Sequence, residues 1–314
     1  MTPPAPAGGV RVHVPATSAN LGPGFDAIGL ALELYEEVWL RPLPDGTSRP
    51  QIAVHGVGAG RLVPDENLLA YRGVVAVYRH LRRPVPPLAL ELVSRIPRSG
   101  GLGGSAAAIV GGAVAANVLL GSPLSAAEVL DVATAIEGHP DNVAAALHGG
   151  LVISVQGRHG LVIKRVDPPP GLRAVVCMPD QPISTRHSRG GVLPQQVPLA
   201  DAVFNLGRTA LLVAAFHSGD WGLLRDAMDD RLHQPPRSRH YPALIPTIEA
   251  ALAAGAHGAA LSGSGSTIIA LATEREPEIA AAMRTAAAAH GFPGRTAVLE
   301  LSSTGAVSLG ASSE

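Results

Sequence analysis

The sequence predicts an α+β protein of two domains, because strand and helix patterns occur together in both halves of the chain. Its 314 residues are enough for two ordinary domains. The run DPPPG at residues 167–171 marks the division, since three consecutive prolines can continue neither a helix nor a sheet ladder. We therefore expect a disordered tail over residues 1–9, an N-terminal domain over residues 10–170 and a C-terminal domain over residues 171–314.

Hydrophobic periodicity predicts the elements of the first half. Strands are expected at residues 10–14, 28–40, 51–57 and 88–96, with a hairpin formed by residues 151–155 and 161–166. Helices are expected at residues 66–81, 105–120 and 124–136. Ser125 and Glu128 have the spacing of a capping box at the start of the third helix.

The second half begins with an apolar strand at residues 172–178. Helices are then expected at residues 199–218, 221–230 and 245–254, and the last helix at residues 276–290. Strands at residues 258–261 and 267–272 enclose a glycine loop. Aromatic residues make up only 3% of the chain, so alanine and valine must fill much of the core.

Composition excludes several classes of protein. A net charge of −1 provides neither a basic face for nucleic acid nor an acidic tail. Cys177 is the only cysteine, which rules out an intrachain disulfide and a thiolate metal cluster. No signal peptide is evident at the N-terminus, and glycine, proline and charges interrupt every apolar stretch that might span a membrane. The expectation is a soluble cytoplasmic protein.

The run PRSGGLGGSAAA at residues 97–108 is the most informative segment. Its glycines let backbone N–H groups approach a ligand closely, and its alanines favour a helix directly afterwards. The positive end of that helix suits a phosphate group. Ser105, in the first turn, could bind a magnesium ion carried by the phosphate.

This run differs from two common phosphate-binding motifs. A P-loop needs Lys-Ser or Lys-Thr after its last glycine, whereas Gly104-Ser105 stands here, and the only lysine is Lys164. The glycine spacing also fails to match the dinucleotide fingerprint. The structural alternative to phosphate binding is that the glycines only form a tight turn before a buried Ala-rich helix.

Four further segments combine polar side chains with glycine. They are residues 15–32 (PATSANLGPGFDAIGLAL), 137–150 (EGHPDNVAAALHGG), 184–194 (STRHSRGGVLP) and 261–267 (LSGSGST). Each has a structural alternative: Asn20 and Asp26 could satisfy turn backbone, and residues 137–142 could be a helix end followed by an Asp N-cap. His139 could be structural, and Arg189 and Arg237 could be solvated surface charges.

Taken together, these segments resemble, in order and spacing, those of the GHMP small-molecule kinases, most closely the homoserine kinase family. The resemblance covers residues 10–290. It implies an N-terminal domain like ribosomal protein S5 domain 2, a ferredoxin-like C-terminal α/β domain, and an active site in the cleft between them. The implied reaction transfers the γ-phosphoryl group of ATP to the side-chain hydroxyl of L-homoserine, a step in threonine biosynthesis.

The resemblance also implies roles for individual residues. The triphosphate would lie against Pro97, Arg98, Ser99, Gly100, Gly101, Leu102, Gly103, Gly104, Ser105, Ala106 and Ala107, with Asn67 near the adenine. Ser105 and Glu137 would hold Mg²⁺, and with Asp26 they form the expected catalytic set. The expected partners are ATP and L-homoserine, with assembly as a homodimer and no nucleic acid or membrane.

The amino acid offers three groups for recognition. Arg189 and Arg237 match the two carboxylate-binding arginines of the family, since the guanidinium fork suits a carboxylate. The remaining substrate-binding residues would be Asp141 and Asn142 at the ammonium, Asn20 and Asp26 at the side-chain hydroxyl, and His139 and Thr185 in the same pocket.

Three positions depart from the family pattern. Gly104 replaces a serine of the phosphate loop, and Ser264 and Ser266 replace an alanine and a proline of the C-terminal loop. If the missing hydroxyl matters, turnover falls while ATP binding survives, and the loss of the proline is expected to loosen its loop. A mevalonate-type or sugar kinase and a non-catalytic nucleotide-binding regulator remain alternatives.

Overall fold

The structure is a computed structural model that describes residues 8–97, 100–181 and 191–309. Within these ranges the strands are β1 (Val10–Asn20), β2 (Gly24–Pro42), β3 (Gln51–Gly56), β4 (Leu88–Ser94), β5 (Leu151–Gly157), β6 (Gly160–Val166), β7 (Arg173–Pro179), β8 (Gly258–Leu261), β9 (Ile268–Ala272), β10 (Gly294–Glu300) and β11 (Val307–Ser308). The α-helices are α1 (Leu69–His80), α2 (Gly104–Leu119), α3 (Ala126–Glu137), α4 (Pro140–His148), α5 (Leu199–Ser218), α6 (Leu224–Ala227), α7 (Gln234–Ser238), α8 (Leu244–Ala254) and α9 (Glu276–Ala289).

The first sheet is built around the long strand β2. The central order is β11-β1-β2-β4-β3, and β5 pairs with the first half of β2 before continuing to β6. The β1–β2 pairing is antiparallel and shifts register after Pro15 and again after Ala19. The second shift precedes a tight turn in which Asn20, Leu21 and Asp26 all have positive φ.

The second sheet has the order β10-β7-β9-β8, with every pair antiparallel. Both faces of its strand β7 are covered, because Ala174 and Val176 pack into the larger core while Val175 and Cys177 pack into a second core under α8 and α9. This alternation follows from the two-residue side-chain period of a strand. Burial raises the pKa of the Cys177 thiol to about 11.

Small residues allow close packing of α1 against α2. A Cβ at Gly112 would lie 1.8 Å from the carbonyl oxygen of Ala70, and a Cβ at Gly73 would lie 2.3 Å from that of Ile109. Since real side chains never approach backbone so closely, glycine is required at both crossings. The Ala-rich α2 thus lies buried behind the glycine loop, as the structural alternative for that loop expects.

Most element predictions agree with the structure, and helix α5 has the predicted bounds. The helix predicted over residues 221–230 is wrong in length: it is a 3₁₀ turn at Trp221–Leu223 followed by the four-residue α6. It ends early because the carboxylate of Asp230 accepts backbone hydrogen bonds from His233 and Gln234 and starts α7 instead. The sequence analysis did not predict α7, β10 or β11.

The segment after α3 differs from the structural alternative given above, in which a helix end is followed by an Asp N-cap. Gly138 ends α3 in the left-handed conformation, and His139 rather than Asp141 is the N-cap of α4. Pro140 occupies the first turn, where its missing N–H is not needed. The predicted capping box of Ser125 and Glu128 at α3 is confirmed.

The C-terminal residues return to the first sheet. Strand β11 pairs with β1, and Leu301 bridges to Leu32. The first sheet therefore contains residues from both sides of the 167–171 run, and the division into domains at that run stays a prediction. Residues 1–7 of the predicted tail lie outside the described residues.

One helix in the described part of the chain, α5, is long and apolar enough to cross a membrane by length and composition. Glycine and charges were expected to interrupt every such stretch, and in α5 the interrupting residues are Asp201, Gly207 and Arg208. Only 22% of its most apolar 18-residue window is buried within the fold.

A buried acid in the first sheet makes stability depend on pH. Although burial by itself raises the pKa of Glu37, hydrogen bonds from Arg11 and Arg95 outweigh it and hold the pKa at about 2. A carboxylate with a lowered folded-state pKa stabilises the fold above its unfolded-state pKa, and that contribution is lost as pH falls towards the folded-state value. The loss here should span from about pH 5 to about pH 2.

We predict that Glu37→Gln lowers the free energy of unfolding at pH 7 by about 1–3 kcal/mol, because hydrogen bonds to a charged group are lost. Urea denaturation at pH 7, 4 and 3 measures this. The difference between the variant and the wild type should shrink as pH falls. A difference that is constant across this pH range would contradict the assignment.

Candidate active site

The glycine loop leads directly into the N-terminus of α2. Gly103, with φ of +65°, is the N-cap, and the N–H of Ala107 makes the first intrahelical bond to its carbonyl at 2.9 Å. The earlier N–H groups of the helix have no intrahelical partner, which is the arrangement that binds phosphate. A Cβ at Gly103 would lie 1.8 Å from Thr17 Oγ1, so glycine is required there.

This helix N-terminus opens into a cavity of about 520 Å³, a size typical of small-molecule sites. The cavity is lined by Pro97, the loop from Gly100 to Ser105, and Asn67. Also in contact are Glu137, His139, Asn142, Gly263 and Ser264. Ala106 and Ala107 are buried in α2, so they can offer a ligand only their backbone.

Two of the predicted catalytic residues are in direct contact. The hydroxyl of Ser105 donates to Glu137 Oε1 at 2.5 Å, which joins the first turn of α2 to the end of α3. Both oxygens lie at the cavity wall beside the helix N-terminus. Such a pair of oxygen donors fits a hard divalent cation bound to phosphate.

The next residues form a connected group at the start of α4. His139 Nδ1 lies 2.5 Å from Asp141 Oδ1, and the same oxygen accepts from the backbone N–H of Asn142 at 2.7 Å. The side-chain oxygen of Asn142 accepts from the Thr17 hydroxyl at 2.7 Å. Asp141 is fully buried, and its Oδ2 has no hydrogen-bond partner among the residues the structure describes.

Asp26 reaches this group from the turn between β1 and β2. Its carboxylate and the side chains of His139 and Asp141 each offer a ligand atom, and these atoms lie within 4.8 Å of one another. The structure therefore brings together residues that are more than 100 positions apart in sequence. Two acids around one imidazole create a negative region beside the cavity.

Asn20 holds the turn in place. Its side-chain oxygen accepts from the backbone N–H of Asp26 at 3.0 Å, and its amide donates to the carbonyl of Gly263 at 3.0 Å. The Asn20 side chain therefore bonds to backbone groups of the turn and of the C-terminal glycine loop, as its structural alternative predicts. A direct contact between Asn20 and a substrate stays a prediction.

Arg237 is buried, at 3% exposure, rather than a solvated surface charge. Its Nη1 donates to the carbonyl of Gly263 at 3.2 Å and lies 2.8 Å from His233 Nδ1, and its guanidinium stacks 5.7 Å from the centre of the Phe25 ring. His233 Nε2 lies 2.7 Å from the carbonyl oxygen of Gly22. Both imidazole contacts are satisfied when Nε2 carries the proton and Nδ1 accepts from the arginine.

The C-terminal glycine loop is held firmly despite Ser266. The backbone N–H of Gly263 donates to the carbonyl of Ala19, and that of Thr267 donates to the carbonyl of Gly100. The hydroxyl of Tyr241 donates to the Ser266 carbonyl at 2.9 Å. These bonds tie the loop to the N-terminal turn and to the phosphate loop, so serine in place of proline does not leave it unsupported.

Four predicted site residues lie outside the described residues: Arg98, Ser99, Thr185 and Arg189. Their roles stay predictions. The other predicted residues fall into two groups. The first group lines the cavity: it holds the residues for nucleotide and metal, apart from the buried Ala106 and Ala107, together with His139 and Asn142. The second group lies beside the cavity and is linked to it through the hydrogen bonds above: Asn20, Asp26, Asp141 and Arg237.

Sequence reasoning missed the residues that support the site. Asp230 accepts backbone hydrogen bonds from His233 and Gln234 at the start of α7, which carries Arg237, and His233 contacts the guanidinium. The run DRLHQPPR at residues 230–237 was the available signal, because it contains Asp230, His233 and Arg237. Glu36, a buried acid that accepts from Ser94 at 2.6 Å and lines the cavity, gave no signal because it lies in an ordinary strand pattern.

Comparison with known proteins identifies the family. The model of the GHMP kinases N terminal domain matches residues 69–150, and that of the GHMP kinases C terminal matches residues 212–289. The homoserine kinase of Moorella thermoacetica is 46% identical over 280 residues, which cover 89% of this chain and 93% of that protein. The homoserine kinase of Desulfitobacterium hafniense is 43% identical and covers 95% and 99%.

Solved structures agree with these matches. The crystal structure of homoserine kinase from Cytophaga hutchinsonii has a TM-score of 0.87 at 31% identity and covers 98% of this chain and all of its own. A mevalonate kinase from L. major has a TM-score of 0.65 at 20% identity, over 95% of this chain and 94% of its own, and shows only the shared fold. The chain therefore belongs to the homoserine kinase family of the GHMP kinases.

Proposed function

We propose that this chain transfers the γ-phosphoryl group of ATP to the side-chain hydroxyl of L-homoserine and so forms O-phospho-L-homoserine for threonine biosynthesis. One observation carries the proposal. The Ser105–Glu137 pair at the helix N-terminus adjoins the group formed by Asp26, His139 and Asp141, so a phosphate site and an amino-acid site lie side by side. Phosphoryl transfer depends mainly on such positioning and on charge neutralisation.

The triphosphate would lie along the loop from Gly100 to Ser105, where free N–H groups and the α2 dipole favour its negative charge. Asn67, which lines the same cavity, would lie near the adenine. Kinases of this family use ATP. The predicted contacts of Arg98 and Ser99 would extend the same loop.

Ser105 and Glu137 would hold Mg²⁺. The chemistry of the pair fits, since a hydroxyl and a carboxylate 2.5 Å apart at the cavity wall are hard oxygen donors. When bound, the cation neutralises charge on the phosphate oxygens. The hydrogen bond from the Ser105 hydroxyl to Glu137 holds the two side chains together.

The amino acid would bind on the side of Asp141 and Arg237. Asp141 Oδ2, which has no hydrogen-bond partner in residues 8–97, 100–181 and 191–309, is a buried acceptor suited to an ammonium group. Asp26, close to His139, would orient the side-chain hydroxyl and offer an acceptor for its proton. Arg237, with Arg189 as the predicted second arginine, would bind the α-carboxylate.

Location in the cytoplasm and assembly as a homodimer are further parts of the proposal. Of the alternative functions, a mevalonate-type kinase would leave Asp141 without a cationic partner, because mevalonate has no ammonium group. A sugar kinase would leave both Asp141 and Arg237 without charged partners. A non-catalytic regulator would have no need of the intact Ser105–Glu137 pair.

The substrate assignment predicts a ranking of acceptors in an ADP-release assay. Homoserine should give the highest kcat/KM among homoserine, serine, mevalonate, galactose and 4-hydroxybutyrate. Serine is one methylene shorter and places its hydroxyl about 1.5 Å from the productive position, which can cost about 100-fold. 4-Hydroxybutyrate lacks only the ammonium group and should lose about 10- to 100-fold.

Each outcome of that assay separates the alternatives. Faster turnover of mevalonate or galactose than of homoserine would contradict the assignment. ADP release with none of these acceptors, together with measurable ATP binding, would favour the regulator. Equal rates for homoserine and 4-hydroxybutyrate would remove Asp141 from ammonium recognition.

The metal assignment predicts that Ser105→Ala and Glu137→Gln each raise the magnesium concentration for half-maximal rate by about tenfold or more, since each removes an oxygen ligand. The rate is measured across a magnesium titration at saturating homoserine. Glu249→Gln, an exposed acid on α8, serves as the matched control and should behave as wild type. Unchanged magnesium dependence in both site variants would remove them from the metal site.

The phosphate loop predicts opposite outcomes at two neighbouring glycines. A Cβ at Gly104 meets nothing closer than Ile96 Cγ2 at 3.5 Å, so Gly104→Ala should keep the fold and change kcat/KM for ATP by less than about threefold. Gly103→Ala should lower it by at least about 100-fold, because its Cβ would collide with Thr17 Oγ1. Equal effects of the two substitutions on kinetics and melting temperature would contradict this description of the loop.

A further inference from the structure

Asp65 and Asn67 form a small hydrogen-bonded unit in the turn before α1. The backbone N–H of Asn67 donates to Asp65 Oδ1 at 2.8 Å, and the side-chain Nδ2 of Asn67 donates to Asp65 Oδ2 at 3.3 Å. The backbone N–H of Leu68 donates to the carbonyl of Asp65 at 3.0 Å and closes the turn. Both side chains of the unit line the cavity that the phosphate loop also lines.

The bond between the two side chains has a separate role from the turn. The two backbone bonds are sufficient for the turn, since an aspartate commonly accepts from the backbone two residues further on. The remaining bond fixes the Asn67 amide, because an ionised carboxylate only accepts and must therefore face Nδ2 rather than Oδ1. The Oδ1 of Asn67 is thus directed away from Asp65, and a ligand meets it as an acceptor.

The part of the cavity around Asn67 suits a planar base. The neighbouring lining residues are apolar and come from the same short segment: Leu62, Val63, Leu68 and Leu69. Apolar side chains can cover the faces of a base, while a few fixed polar atoms select its edge. An amide whose orientation is fixed is such a polar atom pair.

We propose that Asp65 is a positioning residue that makes the nucleotide site selective for a base with an amino group, by holding Asn67 Oδ1 as an acceptor. This inference rests on the proposed function, since it takes the cavity as the ATP site. Adenine has an amino group at C6, which donates, whereas hypoxanthine and guanine have a carbonyl oxygen there, which accepts. Asn67 Oδ1 can bind the amino group, but it faces the carbonyl as a second acceptor.

The selectivity belongs to the pair and not to Asn67 alone. A free asparagine can exchange Oδ1 and Nδ2 by half a turn about its last side-chain bond, since that torsion is broad and nearly two-fold. It could then serve either kind of base. Beside Asp65 the same rotation would break the hydrogen bond of Nδ2 and place Oδ1 against a carboxylate oxygen, which is unfavourable.

Calorimetric titration of the full chain with ADP and with IDP tests the proposal without requiring turnover. The two nucleotides differ only in the C6 substituent and the hydrogen on N1 of the base. The wild type should bind ADP at least about tenfold more tightly than IDP, because IDP replaces a hydrogen bond with two facing acceptors.

Asp65→Asn is the decisive variant. An asparagine can still accept from the backbone N–H of residue 67, so the turn is kept, but it also offers an NH₂ group in place of Oδ2. The Asn67 amide can then rotate and present Nδ2 to the base. ADP should bind more weakly and IDP more tightly, so the preference for ADP should fall by about fivefold or more. A purely structural role of Asp65 would weaken both nucleotides equally, and that result would overturn the proposal.

Three further variants complete the set. Asp65→Ser keeps an acceptor for the turn but has no second oxygen, so its preference for ADP should also fall. Asn67→Ala should weaken ADP by about tenfold and leave IDP little changed. Glu66→Gln is the matched control, because Glu66 is an exposed acid of the same turn that lines a separate groove, and it should keep the wild-type preference.

Failure of this inference differs from failure of the proposed function. A wild type that binds no ADP, and releases none from ATP with homoserine, would contradict the proposed function and the role of Asp65 with it. A wild type that binds ADP and IDP equally would overturn the role of Asp65 alone. So would a preference for ADP that both Asp65→Asn and Asp65→Ser leave unchanged.

Discussion

The carbonyl of Gly263 is the acceptor on which the active site depends. It accepts from the Asn20 amide and from the Arg237 guanidinium, while the N–H of the same residue donates to Ala19. This junction joins the β1–β2 turn, the C-terminal glycine loop and helix α7. Separating these segments would leave a buried carbonyl and its two donors without hydrogen bonds, which is energetically unfavourable, so the three segments are held together.

The glycine loop before α2 is held by the residues that flank Gly263. Ser262 donates to the carbonyl of Gly101, and the carbonyl of Gly100 accepts from Thr267. These bonds hold the backbone of the loop in place, and the side chain of Leu102 anchors the loop in the hydrophobic core. Rigid backbone N–H groups at a helix N-terminus neutralise charge without reorganisation, which is how phosphoryl transfer is favoured.

Helix α5 gives this arrangement an outer support. Asn205 and Thr209 on this helix donate to the carbonyl of Pro23 in the turn between β1 and β2, and Asn205 also donates to Asp230 before α7. Buried Arg237 also links several segments. Its Nη1 donates to the carbonyl of Gly263 and contacts the imidazole of His233, which in turn contacts the carbonyl of Gly22.

The sequence by itself determined the fold class, the bounds of α5, the capping box of α3 and the glycine loop that leads into the buried α2, because these follow from local periodicity and backbone chemistry. Only the tertiary structure decided that Asn20 clamps two loops and that β11 returns to β1. Those outcomes rest on contacts between residues more than 200 positions apart, which no local pattern encodes. That Asp141 Oδ2 has no hydrogen-bond partner within the described part of the chain is likewise a result of packing rather than of sequence.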